Sequence, residues 1–227
     1  MTPKGYIFDY GGTLDTGGCH WGKVLWHGWQ RVGVPVTEAQ FREAYVHAER
    51  TLGKNPIIQP DYTFYKTLET KVRLELDYLG LDGYVSAIVN GIYEETRHHT
   101  AHSREVLQQL QVPMVLVSNF YGNISTVLRE FGFDGLFQAI VESAVVGVRK
   151  PDPRIFTLGV EALGMQSSEV VVVGDSIDKD IIPAHKAGCQ TVWVRGEQWT
   201  DDPIDEHTAD RVIDDLSELL GGNRCVG

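Results

Sequence analysis

At 227 residues the chain can organise one large domain, or one domain that carries an insertion. Its 20 Lys and Arg stand against 31 Asp and Glu, a formal net charge of −11. Such a surface repels phosphate backbones and anionic bilayers, so neither nucleic acid nor a membrane is an expected partner. Hydrophobic residues at 42% exclude a wholly disordered chain.

The first apolar run, Gly5–Phe8, meets Asp9 at once and is neither a signal peptide nor a membrane span. A cytoplasmic protein is the expectation. Three well-separated cysteines, Cys19, Cys189 and Cys225, build neither a disulfide framework nor a zinc spacing. From residue 16 to about 97 the apolar spacing is 3 and 4 throughout, which predicts four amphipathic helices and no strand. Trp21 to Val32 carries the first stripe. Phe41 to Leu52 carries the second, behind a capping box of Thr37 and Gln40. Phe64 to Leu79 makes the third, ended by Gly80, and Val85 to Ile92 the fourth.

After residue 97 the pattern changes. Val112–Val117, Ala139–Glu142, Val170–Val173, Thr191–Val194 and Arg211–Ile213 are apolar runs without alternation, as in parallel strands covered on both faces. Between them lie helical patterns: one opened by Ser103, one over 123–131, and one over 153–163 closed by Gly164. The alternation predicts an α/β fold with a doubly wound parallel sheet. Its core is residues 1–15 and 98–227, and residues 16–97 form a helical insert. The acidic run Asp201, Asp202, Asp205 and Glu206 reads as a solvated loop before the last strand.

Ligands of open parallel sheets bind beyond the carboxyl ends of the strands. DYGGTLD (9–15) follows the first strand, and Ser118 and Asn119 follow the second. Lys150 precedes a proline-opened helix in VGVRKPDPRIF, and Asp175 and Asp180 follow Val173 in GDSIDKD. Taken singly, each is a commonplace turn or cap residue. Together they suit displacement by a carboxylate nucleophile at an electrophile whose charge a hard cation and a lysine neutralise.

These four stretches, in this order, resemble the four motifs of the haloacid dehalogenase-like (HAD) hydrolase superfamily, and the helical insert resembles its first class of cap. The resemblance implies that Asp9 is the nucleophile and, with Asp175 and the Gly11 carbonyl, a ligand of Mg²⁺. It implies that Thr13, Ser118 and Asn119 bind near a phosphoryl group, that Lys150 bridges nucleophile and transferring group, and that Asp180 supports Lys150 or the metal's waters. The implied substrate is a small phosphorylated molecule.

One position departs from the pattern. In the family's phosphatases the residue two after the nucleophile is a second Asp, the general acid/base; here it is Gly11. Proton transfer by a placed side chain contributes about 10²–10⁴-fold, so the loss matters. The leading reading is a Mg²⁺-dependent phosphatase whose acid is relocated, for instance to His20 or His27, or is unnecessary for a good leaving group. Three alternatives stay open. One is a metal-independent dehalogenase, and another a phosphonatase-like enzyme using a cap lysine (Lys23, Lys54, Lys66 or Lys71). The third is a weakly active binding or regulatory module. The aromatics Trp21, Trp26, Trp29, Tyr62, Phe64 and Tyr65 read as cap core or as a substrate wall, and His98, His99 and His102 as a hinge surface.

Overall fold

The computed structural model describes residues 3–200, 203 and 205–223. Asp201, Asp202 and Cys225 lie outside the described residues. Six parallel strands form one sheet in the order β3-β2-β1-β4-β5-β6. They are β1 (Gly5–Phe8), β2 (Met114–Ser118), β3 (Ala139–Glu142), β4 (Val170–Gly174), β5 (Gln190–Val194) and β6 (Arg211–Ile213). β1 pairs on one side with β2, Phe8 opposite Leu116, and on the other with β4, Phe8 opposite Val173. The order changes direction at β1, and that puts the end of β1 at the crevice of the sheet.

Alternate residues of β1 feed two separate cores. Ile7 packs with Val115, Val117 and Val172 under α7 (Arg154–Leu163), which follows the short helix α6 (Ser143–Val146). Tyr6 and Phe8 face the opposite core, which takes in α5 (Ile124–Glu130) and continues into the helices between β1 and β2. Gly159 of α7 stands where a Cβ would come within 2.8 Å of Ile7, so glycine sets how closely that helix lies on the sheet. The doubly wound α/β reading is the fold observed.

The helices between β1 and β2 are α1 (Trp21–Val32), α2 (Glu38–Lys54), α3 (Phe64–Leu79) and α4 (Val85–Leu107). The capping box at Thr37 and Gln40 is present, and Gly33 and Gly80 end α1 and α3 in the left-handed conformation. The structure differs from expectation at α4. Ser103 does not open a helix; it lies inside one of 23 residues that runs from the insert into the core. The apolar stripe of Ile88, Val89 and Ile92 is continued by the buried hydroxyl residues Thr96, Thr100 and Ser103 before Val106 and Leu107 resume it. Two of these hydroxyls donate to backbone carbonyls, Thr100 to Thr96 at 2.8 Å and Ser103 to Leu14 at 2.7 Å. β2 likewise begins at Met114, not Val112, because Pro113 has no N–H to offer the ladder.

Glu75 of α3 is fully buried, and among the described residues neither carboxylate oxygen has a hydrogen-bond partner. Burial, opposed by Lys71 and reinforced by Glu49, pushes its pKa up to about 8. The native chain therefore holds a proton there that the unfolded chain releases near its ordinary value of 4.5. Stability must fall as pH rises between these values, by up to about 1.4 kcal/mol per pH unit. Glu75→Leu removes this loss: thermal unfolding is expected to show a melting-temperature advantage over the wild type that grows from pH 5 to pH 8, about 2–4 °C per kcal/mol. An advantage independent of pH would contradict the assignment.

Candidate active site

The site is assembled at the carboxyl edge of the sheet. Asp9 follows β1 directly, its N–H donating to the Val173 carbonyl of β4 at 3.0 Å, and Asp175 follows β4. Asp180 comes from the helical turn Ile177–Ile181. One oxygen from each of these three buried carboxylates lies within 4.8 Å of the others. Lys150, itself 4% exposed, reaches Asp9 at 2.6 Å and Asp180 at 2.7 Å. Burial opposes its charge, but Asp180 and Asp9 outweigh burial and hold it protonated. Burial, followed by repulsion from Asp180 and Asp9, pushes the Asp175 carboxyl well above the ordinary carboxylate value.

Glycines make this crowding possible. A Cβ on Gly174 would lie 2.4 Å from that of Asp180. Gly12 has φ +103°, and a Cβ there would fall 2.4 Å from the Asp175 carboxylate. The loop around Gly12 is fixed by Asp15, which is fully buried and accepts from the Gly12 N–H at 2.7 Å and from the Trp21 indole at 3.0 Å. Asp15 thus ties the loop after β1 to the first turn of α1.

The remaining sequence candidates fall into place differently. Thr13 donates its hydroxyl to Asp175 at 3.0 Å, so it orients that carboxylate. Ser118 is buried at the end of β2 and lines the cavity described below. Asn119 lines it too, but its side chain is committed to the backbone of Lys150. Its carbonyl oxygen accepts from the Lys150 N–H, and its amide donates to the Lys150 carbonyl, both at 3.0 Å. It therefore positions the lysine. Gly11 lines the same cavity.

Over this edge lies a cavity of about 150 Å³. Asp9, Gly11, Ser118, Lys150, Asp175 and Asp180 form its floor, and the helical insert forms its roof. Trp21 (α1), Tyr45 and Glu49 (α2), and Phe64 and Lys71 (α3) line the roof, with Phe120 and Tyr121 closing one side. The roof is fastened to the core at two places. Glu130 of α5 accepts from the Phe64 N–H and the Tyr93 hydroxyl, while Asn123 donates to the Tyr62 carbonyl at 2.8 Å. On the other side the Arg42 guanidinium lies 4.1 Å over the Trp199 ring and donates to the Trp199 carbonyl.

Of the two histidines considered as a relocated acid, His20 lines the cavity but caps α1, its Nδ1 accepting from the Gly22 N–H at 3.0 Å. Burial, helped by Lys179 and Lys71, drives its pKa down to about 3, so it carries no proton to give near neutrality. His27 pairs with Glu197 and does not line the cavity. Of the four insert lysines only Lys71 lines it. That ammonium pairs with Glu49 and lies 4.4 Å over the Tyr45 ring, and Glu49 also accepts from the Tyr121 hydroxyl at 2.9 Å. Burial opposes the Lys71 charge, yet Glu49 raises its pKa well above the ordinary value. Among the six aromatics, Trp21 and Phe64 line the cavity while Trp29 is core. His102 pairs with Asp215.

The Lys71–Glu49–Tyr121 group was missed in the sequence. Its signal was present: Lys71 and Glu75 continue the stripe Leu68, Val72, Leu76 on the buried face of α3, where solvated charges do not belong.

Residues 3–188 match the sequence model of the haloacid dehalogenase-like hydrolases. A glyceraldehyde 3-phosphate phosphatase of Methanopyrus kandleri is 40% identical over 95 residues, 41% of each chain. The chain thus spans about two-fifths of such curated relatives at that level of identity. A ribulose-1,5-bisphosphate 5-phosphatase of Halopiger xanaduensis is 28% identical across 84% of this chain and 85% of its own. Among solved structures, an HAD phosphatase from Thermococcus onnurineus superposes with a TM-score of 0.54, 22% identical over 97% of this chain and 99% of that one. This last likeness is one of fold.

The two glycines of the first loop should respond oppositely to a methyl group. Gly12→Ala is expected to lower unfolding stability by about 1–3 kcal/mol, because left-handed strain and the Asp175 clash add together. Gly11→Ala, whose Cβ would meet only Trp21 at an ordinary 3.6 Å, should melt within a degree or two of the wild type. Equal melting temperatures for the two variants would contradict this geometry.

Proposed function

The chain belongs to the haloacid dehalogenase-like hydrolase family, and we propose that it is a Mg²⁺-dependent phosphatase of small phosphorylated molecules, with Asp9 as the nucleophile. The observation that carries this reading is Lys150, whose ammonium touches Asp9 and Asp180 at once beside Asp175.

The donor set fits the metal. With all three ionised, the buried carboxylates against one ammonium leave two negative charges, which a divalent cation matches, and an all-oxygen set suits a hard ion such as Mg²⁺. Asp9, Asp175 and the Gly11 carbonyl would hold it, and when bound it would neutralise the oxygens of a phosphoryl group at Asp9.

The chain's own residues do the rest. The free oxygen of Asp9 attacks phosphorus, a P–O bond to the carboxylate forms, and the bond to the leaving oxygen breaks with its electron pair. Lys150 holds Asp9 in line and offsets charge on the transferring group, and Asn119 fixes Lys150 through both of its backbone polar groups. Thr13 aims Asp175, and Ser118 offers its hydroxyl to the phosphoryl oxygens. Water then attacks the aspartyl-phosphate, phosphate leaves, and Asp9 is regenerated. In this reading residues 16–97 act as the cap that excludes bulk water during the first step.

Two of the other readings lose support. A Schiff base needs an unprotonated lysine, and the one insert lysine on the cavity is held as an ammonium by Glu49. A metal-free dehalogenase has no use for Asp175 in a cluster of three buried carboxylates. Phosphate release from a panel of phosphate esters and acetyl phosphate is expected to require Mg²⁺, to stop with EDTA and to fall at least about 10³-fold in Asp9→Asn. Turnover that survives EDTA would contradict the proposal, as would halide release from 2-haloacids without phosphate release.

A further inference from the structure

The inference concerns the leaving group and rests on the phosphatase reading above. Gly11 occupies the position from which an acid would protonate the departing oxygen. The space a side chain would enter there is already faced by an aromatic ring, since a Cβ on Gly11 would lie 3.6 Å from Cδ1 of the Trp21 indole. That indole is held in place: Asp15 accepts from its Nε1 at 3.0 Å, and the Phe64 ring leans on it with centroids 5.6 Å apart. Phe120, Tyr121 and Tyr45 line the same cavity. Five aromatic side chains therefore line the cavity of about 150 Å³, together with its charged floor and the Lys71–Glu49 pair. The histidine on the same wall, His20, is engaged as a helix cap and offers no proton.

A leaving oxygen that receives no proton must depart as an anion. A phenol ionises near about 10, whereas an alkanol resembles water at about 15.7, so only the aromatic oxygen leaves readily unassisted. We propose that the substrate is an aryl phosphate, its ring seated against Trp21 and Phe64 and its phenolic oxygen beside Gly11. Asp9 forms the bond to phosphorus while the aryl P–O bond breaks, and the electron pair leaves on a phenolate that solvent protonates. Water then hydrolyses the aspartyl-phosphate and restores Asp9. Trp21 acts as a specificity residue: it supplies the face on which the ring stacks and takes no part in proton transfer.

The test compares phenyl phosphate with benzyl phosphate, nearly equal in shape but different in leaving oxygen, and includes acetyl phosphate as a small non-aromatic control. The expected kcat/KM for phenyl phosphate exceeds that for benzyl phosphate by about 10²–10⁴-fold, the factor an acid would have supplied. Across substituted phenyl phosphates the rate should fall steeply as the phenol becomes less acidic. Trp21→Ala should raise KM for phenyl phosphate by a factor at least about tenfold larger than its effect on the KM for acetyl phosphate. Trp21→Phe, which keeps a ring but loses the bond to Asp15, should restore the phenyl phosphate KM. Equal turnover of the phenyl and benzyl esters overturns the proposal. So does Mg²⁺- and Asp9-dependent hydrolysis of acetyl phosphate without hydrolysis of phenyl phosphate, which leaves the phosphatase reading standing. Silence on all three substrates overturns both.

Discussion

The structure depends on one buried ammonium. Lys150 lies between Asp9 and Asp180, with Asp175 adjacent, and without it three carboxylates would crowd one buried site with no ammonium to balance them. Removing one partner of such an arrangement leaves uncompensated buried charge, which costs about 3–5 kcal/mol. The surroundings are built to hold that ammonium. Asn119 clamps its backbone, Asp180 is itself held by the Ser176 N–H, and Gly174 leaves room for Asp180 to approach. The parallel sheet serves this one point, since β1 and β4 are neighbours and their ends deliver Asp9 and Asp175 side by side.

The helical insert adds a second level of organisation. Its roof residues are aromatic where they face the floor of the cavity and charged where Lys71 meets Glu49 and Tyr121. Because Tyr121 and Glu130 belong to the sheet-bearing part and their partners to the insert, the same contacts that shape the cavity also hold the roof down. Trp199 does this on the other side, stacked under Arg42 and against Tyr45. The lining of the cavity and the attachment of the insert to the core are thus coupled through shared residues.

Much of this was legible in the sequence, for identifiable reasons. Buried parallel strands are short unbroken apolar runs, and all six begin and end within two residues of where those runs do. Polar residues immediately after such runs must emerge at one edge, so Asp9, Asp175 and Ser118 could be grouped without coordinates. What periodicity could not reveal was α4 as one helix, because Thr96, Thr100 and Ser103 bury hydroxyls that a hydrophobic count treats as exposed. Nor could it reveal that the Asn119 side chain serves Lys150 rather than a ligand, or that Trp21 stands against Gly11. Those are contacts between segments, and spacing within a segment carries no information about them.

The central claim is that Asp9 forms a covalent bond to phosphorus. Acid quenching during turnover, proteolysis and mass spectrometry test it directly. The account predicts one phosphate on the peptide that carries Asp9, lost on standing at neutral pH and missing from Asp9→Asn. Steady turnover of a phosphate ester with no phosphate on that peptide at any time point would contradict it.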